Sequence, residues 1–194
     1  MEYSEDVTWP VPPPGGFTSG DLDLIPGLPM HVELIDGALV FPAPQSLFHS
    51  RMLSLLSPPR FDGRGNEGLF SAQRMTVWLT ERQRPEPDIM LVRFEALESP
   101  DQTWFPAEMV ELVVEVVSPD SEIRDRERKP RLYAEAGIPH FWLVEREGQR
   151  GAAVYVYELD PVNRRYTNVS VHRERLRVSA PCDLDIDLTG VLHR

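Results

Sequence analysis

The chain has 194 residues, 41% hydrophobic and 26% charged, which is ordinary for a globular domain with a substantial core. Its formal net charge of −11 argues against a protein that coats nucleic acid non-specifically, although it allows a nucleic-acid enzyme whose bound cations supply positive charge. The single cysteine, Cys182, excludes an intrachain disulfide and a cysteine metal site.

The N-terminal segment predicts little regular structure. Residues 1–17 are proline-rich and are expected to form an extended lead-in to one domain spanning residues 18–194. Residues 17–29 predict a short helix capped by Thr18 or Ser19.

A hairpin and a helix are predicted next. Residues 32–41 read as two strands around Asp36-Gly37, a dipeptide typical of tight β-hairpins. Residues 46–56 predict a helix, because apolar residues such as Leu47 and Met52 recur there at helical spacing.

The remainder alternates strands with one further helix. Strands are predicted at residues 68–80, 87–94, 109–119, 140–145, 152–159 and 165–178. The run at 109–119 is the most apolar and β-branched, so we expect a central strand buried on both faces. A helix over residues 124–136 is predicted to end at Gly137. The order predicts an α/β or α+β protein with a mixed β-sheet flanked by helices, an N-terminal β-hairpin and C-terminal strands.

Two acids in the predicted sheet suggest chemistry. Asp88 begins a strand directly after a proline, and Glu115 lies among valines in the predicted central strand. An isolated carboxylate there would carry a large desolvation penalty, so Glu115 needs a partner, either an arginine, a loop or a bound cation. Two carboxylates converging from neighbouring strands would form an oxygen-rich site suited to Mg²⁺ or Mn²⁺, and such ions can activate water at a phosphodiester.

The segments around these acids resemble a known family. They are PEPDIMLV (85–92), VVEVVSPDS (113–121), RDRERKPRLYAEAGIPHFWLVE (124–145) and, nearer the N-terminus, VELIDGALVFPAPQSLFHSRM (32–52). Together they resemble the Uma-type restriction endonuclease family of the PD-(D/E)XK nuclease superfamily, from Val32 to the final Pro-Cys-Asp-Leu segment. The resemblance implies a restriction-endonuclease-like core in an α-β-β-β-α-β arrangement. It also implies catalytic, metal-binding acids at Asp88 and Glu115.

The only lysine of the chain also belongs to the resemblance. The superfamily's Glu-x-Lys motif reads Glu115-Val116-Val117 here, and in this family the lysine moves to the next helix, in an Asp-x-x-x-Lys-x-x-x-Tyr pattern. That pattern matches Asp125, Lys129 and Tyr133, and four-residue spacing places all three on one helical face. We therefore expect Lys129 to orient water or stabilise charge, with Asp125 and Tyr133 in support.

Two alternatives remain for Lys129. It can be a solvated charge at a strongly charged helix start. Pro130 also disfavours helical geometry at Lys129, so the helix can begin only near Pro130, which would distort the face that carries the pattern.

Glu33 and His49 are supporting candidates. The predicted helix at 46–56 contains no acid but carries His49, and Glu33 in the preceding hairpin can supply the acid instead. A lone histidine is more often a packed structural residue than a ligand for metal or phosphate.

We therefore expect a Mg²⁺-dependent (or Mn²⁺-dependent) endonuclease that hydrolyses phosphodiester bonds, with DNA as its substrate. The alternative function is a catalytically weak or inactive binding or regulatory module on the same fold. A plain interaction protein would require Glu115 to pair with an arginine. A homodimer would suit the cutting of both strands of a duplex. The acidic N-terminus and the lack of a long apolar run predict no signal peptide, no membrane association and a cytoplasmic location.

Overall fold

The computed structural model describes residues 10–57, 68–149 and 151–189. Residues 1–9 of the predicted lead-in therefore lie outside the described residues. The strands of the described part are β1 (Glu33–Ile35), β2 (Ala38–Val40), β3 (Leu69–Gln73), β4 (Thr76–Trp78), β5 (Ile89–Arg93), β6 (Trp104–Pro106), β7 (Val110–Val116), β8 (His140–Glu147), β9 (Gly151–Asp160), β10 (Arg165–His172), β11 (Arg175–Val178) and β12 (Leu184–Asp187). The α-helices are α1 (Asp21–Leu24), α2 (Leu47–Leu56) and α3 (Lys129–Ala136).

Six strands form the main sheet in the order β10-β9-β8-β7-β5-β3. The β7–β8 pair is parallel and the other neighbours are antiparallel, so the sheet is mixed. Strand β7 lies inside the sheet and is buried at every position except Glu111, as its apolar sequence predicts. The α+β class with a mixed sheet and flanking helices is confirmed.

The two faces of β7 pack against different helices. Leu112, Val114 and Val116 belong to a core that includes the buried side of α2, whereas Val113 belongs to a second core that includes Tyr133 of α3. Because side chains alternate across a strand, Glu115 lies on the same face as Val113, beneath α3. The alternation of side chains along β7 therefore places the Glu115 carboxylate on the face that packs against α3.

The N-terminal hairpin forms as predicted. Asp36 and Gly37 both have positive φ angles, 57° and 76°, which is the backbone of a type I′ turn between β1 and β2. The cap of α1 differs from the prediction, because Gly20 occupies the N-cap position without a side-chain cap. Thr18 instead donates to the Asp21 carboxylate, and Ser19 Oγ donates to the Thr80 carbonyl.

Three further details differ from the predicted pattern. The strand predicted at 68–80 is split into β3 and β4 at Arg74, whose φ is 51°. The stretch at 165–178 forms two strands, β10 and β11. Leu47 is 66% exposed, because the buried side of α2 is formed by Phe48, His49 and later residues instead.

The helical stretch that contains α3 begins before Pro130. Residues Arg124–Arg128 form one π-helical turn that runs into α3, and the Lys129 amide donates to the Arg124 carbonyl, five residues earlier. The wider turn lets the helix pass through a proline that lacks an N–H group. Gly137 ends α3 in the left-handed conformation, as predicted. None of the described helices is long and apolar enough to cross a membrane.

Candidate active site

Lys129 lies at the centre of a group of buried acids. Its side chain is 5% exposed, and its Nζ lies 2.8 Å from Glu33 Oε1, 3.1 Å from Glu115 Oε2 and 3.5 Å from Asp125 Oδ1. The solvated-charge interpretation of this lysine is therefore wrong. The π-helical turn keeps Asp125, Lys129 and Tyr133 on the side of the helix that faces the sheet, despite Pro130.

Glu115 is held by two partners from α3. Lys129 Nζ contacts one carboxylate oxygen, and Tyr133 Oη donates to the other at 2.6 Å. Glu115 is only 2% exposed, so this pairing satisfies a group that would otherwise be costly to bury. The partner is a lysine and not an arginine, so the premise of the plain interaction protein is not met among the described residues.

Asp88 lies directly before β5 and contacts residues of β7 and α2. Its Oδ2 accepts a hydrogen bond from the Val116 amide of β7 at 2.7 Å. Its Oδ1 lies 2.7 Å from Nε2 of His49, which α2 buries to 3% exposure. The pairing of Ile89 with Val114 in adjacent strands brings Asp88 alongside the Glu115–Val116 segment. The sheet register therefore brings the two predicted acids to one end of the same strand pair.

The structure adds residues that the sequence prediction missed. Glu86 lies beside the predicted acids, and its amide donates to Glu33 Oε1 at 2.8 Å. Its carboxylate contacts His31 Nδ1 at 2.7 Å and lies 3.6 Å from Arg74 Nε. The sequence signal that could have indicated Glu86 was its spacing from Asp88, because residues two apart at the start of a strand share one face.

Burial dominates the protonation of the acids. It raises the pKa of Asp88 to about 7 and that of Glu86 to about 8, and it also raises the pKa of Glu115 and Asp125. Burial alone would lower the pKa of Lys129, but the attraction of Glu115, Glu33 and Asp125 outweighs it and holds that pKa well above its ordinary value. Lys129 is therefore a permanent ammonium ion, and burial favours the protonated form of the Glu115 and Asp125 carboxyl groups beside it by raising their pKa.

His49 is neutral in this setting. Burial lowers its pKa to about 4, and the nearby Arg74 guanidinium contributes to the same shift. A neutral imidazole has one N–H and one bare nitrogen, so His49 can fix the orientation of the Asp88 carboxyl without neutralising it.

A small cavity of about 50 Å³ adjoins these groups. Its lining includes the three predicted catalytic residues, three of the four predicted supporting residues (all but Tyr133), and acids and arginines that were not predicted: Asp88, Glu115, Lys129, Glu33, His49, Asp125, Glu86, Asp120, Arg74 and Arg124. The volume accommodates a few water molecules or one ion with its waters.

The donor set of the cavity fits a hard divalent cation in its chemistry. Carboxylate oxygens are the ligands that Mg²⁺ and Mn²⁺ prefer, and the buried acids outnumber the buried cations. Among the described residues, however, no group of three or more His, Cys, Asp or Glu side chains is already arranged around an ion position. The Lys129 ammonium occupies the space between Glu33 and Glu115 instead.

The raised pKa values predict that metal-free protein loses stability as the pH rises. The folded state keeps protons on Asp88 and Glu86 that the unfolded chain has released, so stability falls as pH passes through folded pKa values of about 7 and 8. His49 has the opposite effect only below its ordinary pKa of 6.5. From pH 6.5 to about 8 we expect a loss of roughly 1–2 kcal/mol in urea unfolding.

Asp88→Asn should remove the part of this pH dependence that Asp88 contributes and leave the part due to Glu86, because the amide keeps the hydrogen bonds and cannot ionise. Exposed Asp101 supplies the control, since Asp101→Asn should leave the pH profile unchanged. An Asp88→Asn profile as steep as that of the wild type would show that this carboxyl does not titrate near neutral pH.

Comparisons with known proteins agree with this fold. A family model described as Uma2, "Putative restriction endonuclease", matches residues 20–189. No curated protein matches the chain. The chain is similar to a solved structure described as a "putative nuclease belonging to DUF820" from Anabaena variabilis, with a TM-score of 0.57 and 16% identity over 87% of this chain and 94% of that chain. At that identity the likeness shows the fold, which is the predicted nuclease-type core.

Proposed function

We propose that this chain, which belongs to the Uma2 putative restriction endonuclease family, is a metal-dependent endonuclease that hydrolyses phosphodiester bonds in DNA. One observation carries the proposal: Asp88, Glu115 and Lys129 come from three different elements and line one small cavity. Acids that meet at a cavity beside a cation, with pKa values raised by burial, are typical of catalytic sites.

In this proposal Asp88 and Glu115 hold a Mg²⁺ or Mn²⁺ ion. Such an ion supplies Lewis-acid stabilisation of the phosphate charge and lowers the pKa of water. The protein's own residues fix the acids in place. His49 and the Val116 amide orient Asp88, while Tyr133 orients Glu115 from the opposite side.

Lys129 has a separate role in the proposal. Its ammonium group has three donors, and it remains charged because it is surrounded by acids. A compact cation at the cavity can contact a water molecule and stabilise negative charge that develops on the phosphate. Glu33 and Asp125 hold the lysine side chain at this position through contacts of 2.8 Å and 3.5 Å.

The second candidate function is a catalytically inactive binding or regulatory module. It is favoured by the fact that each oxygen of Asp88 and Glu115 already has a hydrogen-bond or ion-pair partner. If those contacts persist in solution, Lys129 permanently replaces the ion and the site is structural.

Calorimetric titration with Mn²⁺ separates the two candidates. Wild-type protein should bind the ion, and Asp88→Asn or Glu115→Gln should each bind at least about tenfold more weakly, because each change removes a charged oxygen ligand. Glu111→Gln is the matched control, because Glu111 lies on the same strand but pairs with exposed Arg93. Identical titrations for wild type, Asp88→Asn and Glu115→Gln would overturn the metal site.

A further inference from the structure

A second, larger concavity lies on the other side of α3. Its volume is about 660 Å³, and it is formed by that helix together with β8, β9 and β10. We call it the α3 groove. The residues used below are Arg126, Arg131, Arg164, Arg165, Tyr157 and Tyr166.

The α3 groove is positively charged in a strongly acidic protein. Four arginines line it against only two acids, Glu127 and Glu135, although the whole chain carries −11. Arg126 is already paired with Glu122 and Glu145. Arg131 and Arg165, by contrast, are exposed and have no side-chain partner among the described residues. Two guanidinium groups are therefore available to an anionic ligand.

Arg164 is fixed at the end of the groove. Its backbone is left-handed, with φ 51°, and its Nη1 donates to the Glu135 carbonyl in the last turn of α3. Gly137 leaves the necessary space, since a Cβ atom there would lie only 2.8 Å from Arg164 Nη1. A cation at the carbonyl end of a helix is favoured by the helix dipole. The groove is therefore preformed at this end.

Aromatic rings form the floor of the α3 groove. Tyr166 stacks on buried Phe141 with centroids 5.3 Å apart, and Tyr157 lies on the same phenylalanine at 5.6 Å. The Tyr166 hydroxyl donates to the Ile138 carbonyl, which holds that ring in place. Both tyrosines are half-buried, so supported rings face the groove beside unpaired arginines.

We propose that the α3 groove binds a short single-stranded segment of nucleic acid, with bases on Tyr157 and Tyr166 and phosphates on Arg131 and Arg165. Positive grooves with aromatic platforms are how proteins bind single strands without reading their sequence. The volume suits a ligand of one or a few nucleotides. This inference rests on the proposed nuclease function, because only α3, about 10–12 Å across, separates the groove from the catalytic cavity. A strand end leaving that cavity can reach the groove.

Fluorescence anisotropy with a labelled single-stranded DNA of about a dozen nucleotides, in EDTA and low salt, tests the inference. Wild type should bind, and Arg131→Gln/Arg165→Gln should bind about tenfold more weakly with a shallower dependence on salt. The control is Arg175→Gln/Arg177→Gln, which removes the same charge from arginines that pair with Asp185. Tyr157→Leu should weaken binding, whereas Tyr157→Phe, which keeps the ring, should not.

The outcomes separate the groove from the nuclease proposal, because the assay contains no metal and requires no cleavage. Any of three results would overturn the groove inference. Wild type could fail to bind the single strand, both double variants could lose binding equally, or wild type could prefer an acidic peptide of the same charge. DNA cleavage by the Arg131→Gln/Arg165→Gln protein with unchanged KM would also overturn it while leaving the nuclease proposal intact. If wild type binds the single strand but cuts no DNA, and only Arg131→Gln/Arg165→Gln loses that binding, the groove inference would be supported and the nuclease proposal would not.

Discussion

Lys129→Met is expected to destabilise the protein by about 3–5 kcal/mol in urea unfolding at neutral pH. The ammonium contacts Glu33, Glu115 and Asp125, all almost fully buried, and methionine would fill similar space without any charge. Removing one partner of a buried ion cluster leaves the other charges without compensation, which costs more than the cluster itself contributes.

The matched control lies two residues along the same helix. Arg131 is exposed and has no side-chain partner among the described residues, so Arg131→Met should change stability by no more than about 0.5 kcal/mol. If Lys129→Met were as mild as this control, the acids around Lys129 would have to be uncharged, and the lysine would not hold the site together.

Lys129→Arg is expected to keep the fold and metal binding but to lose about 10²–10³-fold in DNA hydrolysis. Charge alone is preserved, since arginine is also a permanent cation. The ammonium group is compact and can contact a water molecule and a phosphate oxygen together, whereas the planar guanidinium is wider and must displace the water or sit further back. The cavity of about 50 Å³ leaves little room for such a shift.

Arg128→Lys provides the control for this change. It exchanges the same two residue types one position earlier, where the arginine pairs with Asp36 at the surface. Turnover should be unaffected there. If Lys129→Arg kept both its turnover and its circular dichroism spectrum, the catalytic cation would have to lie elsewhere. Arg74 and Arg124 are the remaining cations that line the cavity.

Local chemistry explains why much of the fold could be predicted. The Asp36-Gly37 turn and the apolar run of β7 are governed by backbone preference and burial, which short windows of sequence report well. The cap of α1 could not be predicted in this way. Ser19 bonds to Thr80 and Thr18 to Asp21, and the first of these partners depends on tertiary packing. The division into residues 1–17 and 18–194 stays a prediction.

The predicted site residues come together, but their detailed pairing was not predictable. Local spacing identified Asp125, Lys129 and Tyr133 as one helical face. The π-helical turn that preserves this face ahead of a proline has no comparable sequence signal. Glu86 was missed because its role depends on neighbours that are distant in the chain, such as His31, 55 residues away.

The most direct test of the central claim is cleavage of labelled duplex and supercoiled DNA by wild type and Asp88→Asn, each with Mg²⁺, Mn²⁺ or EDTA. Wild type should cut with either ion and not in EDTA, and Asp88→Asn should stay folded but cut at least about 100-fold more slowly. Equal cleavage by wild type and Asp88→Asn, or wild-type cleavage that persists in EDTA, would contradict a metal-dependent site built on Asp88 and Glu115.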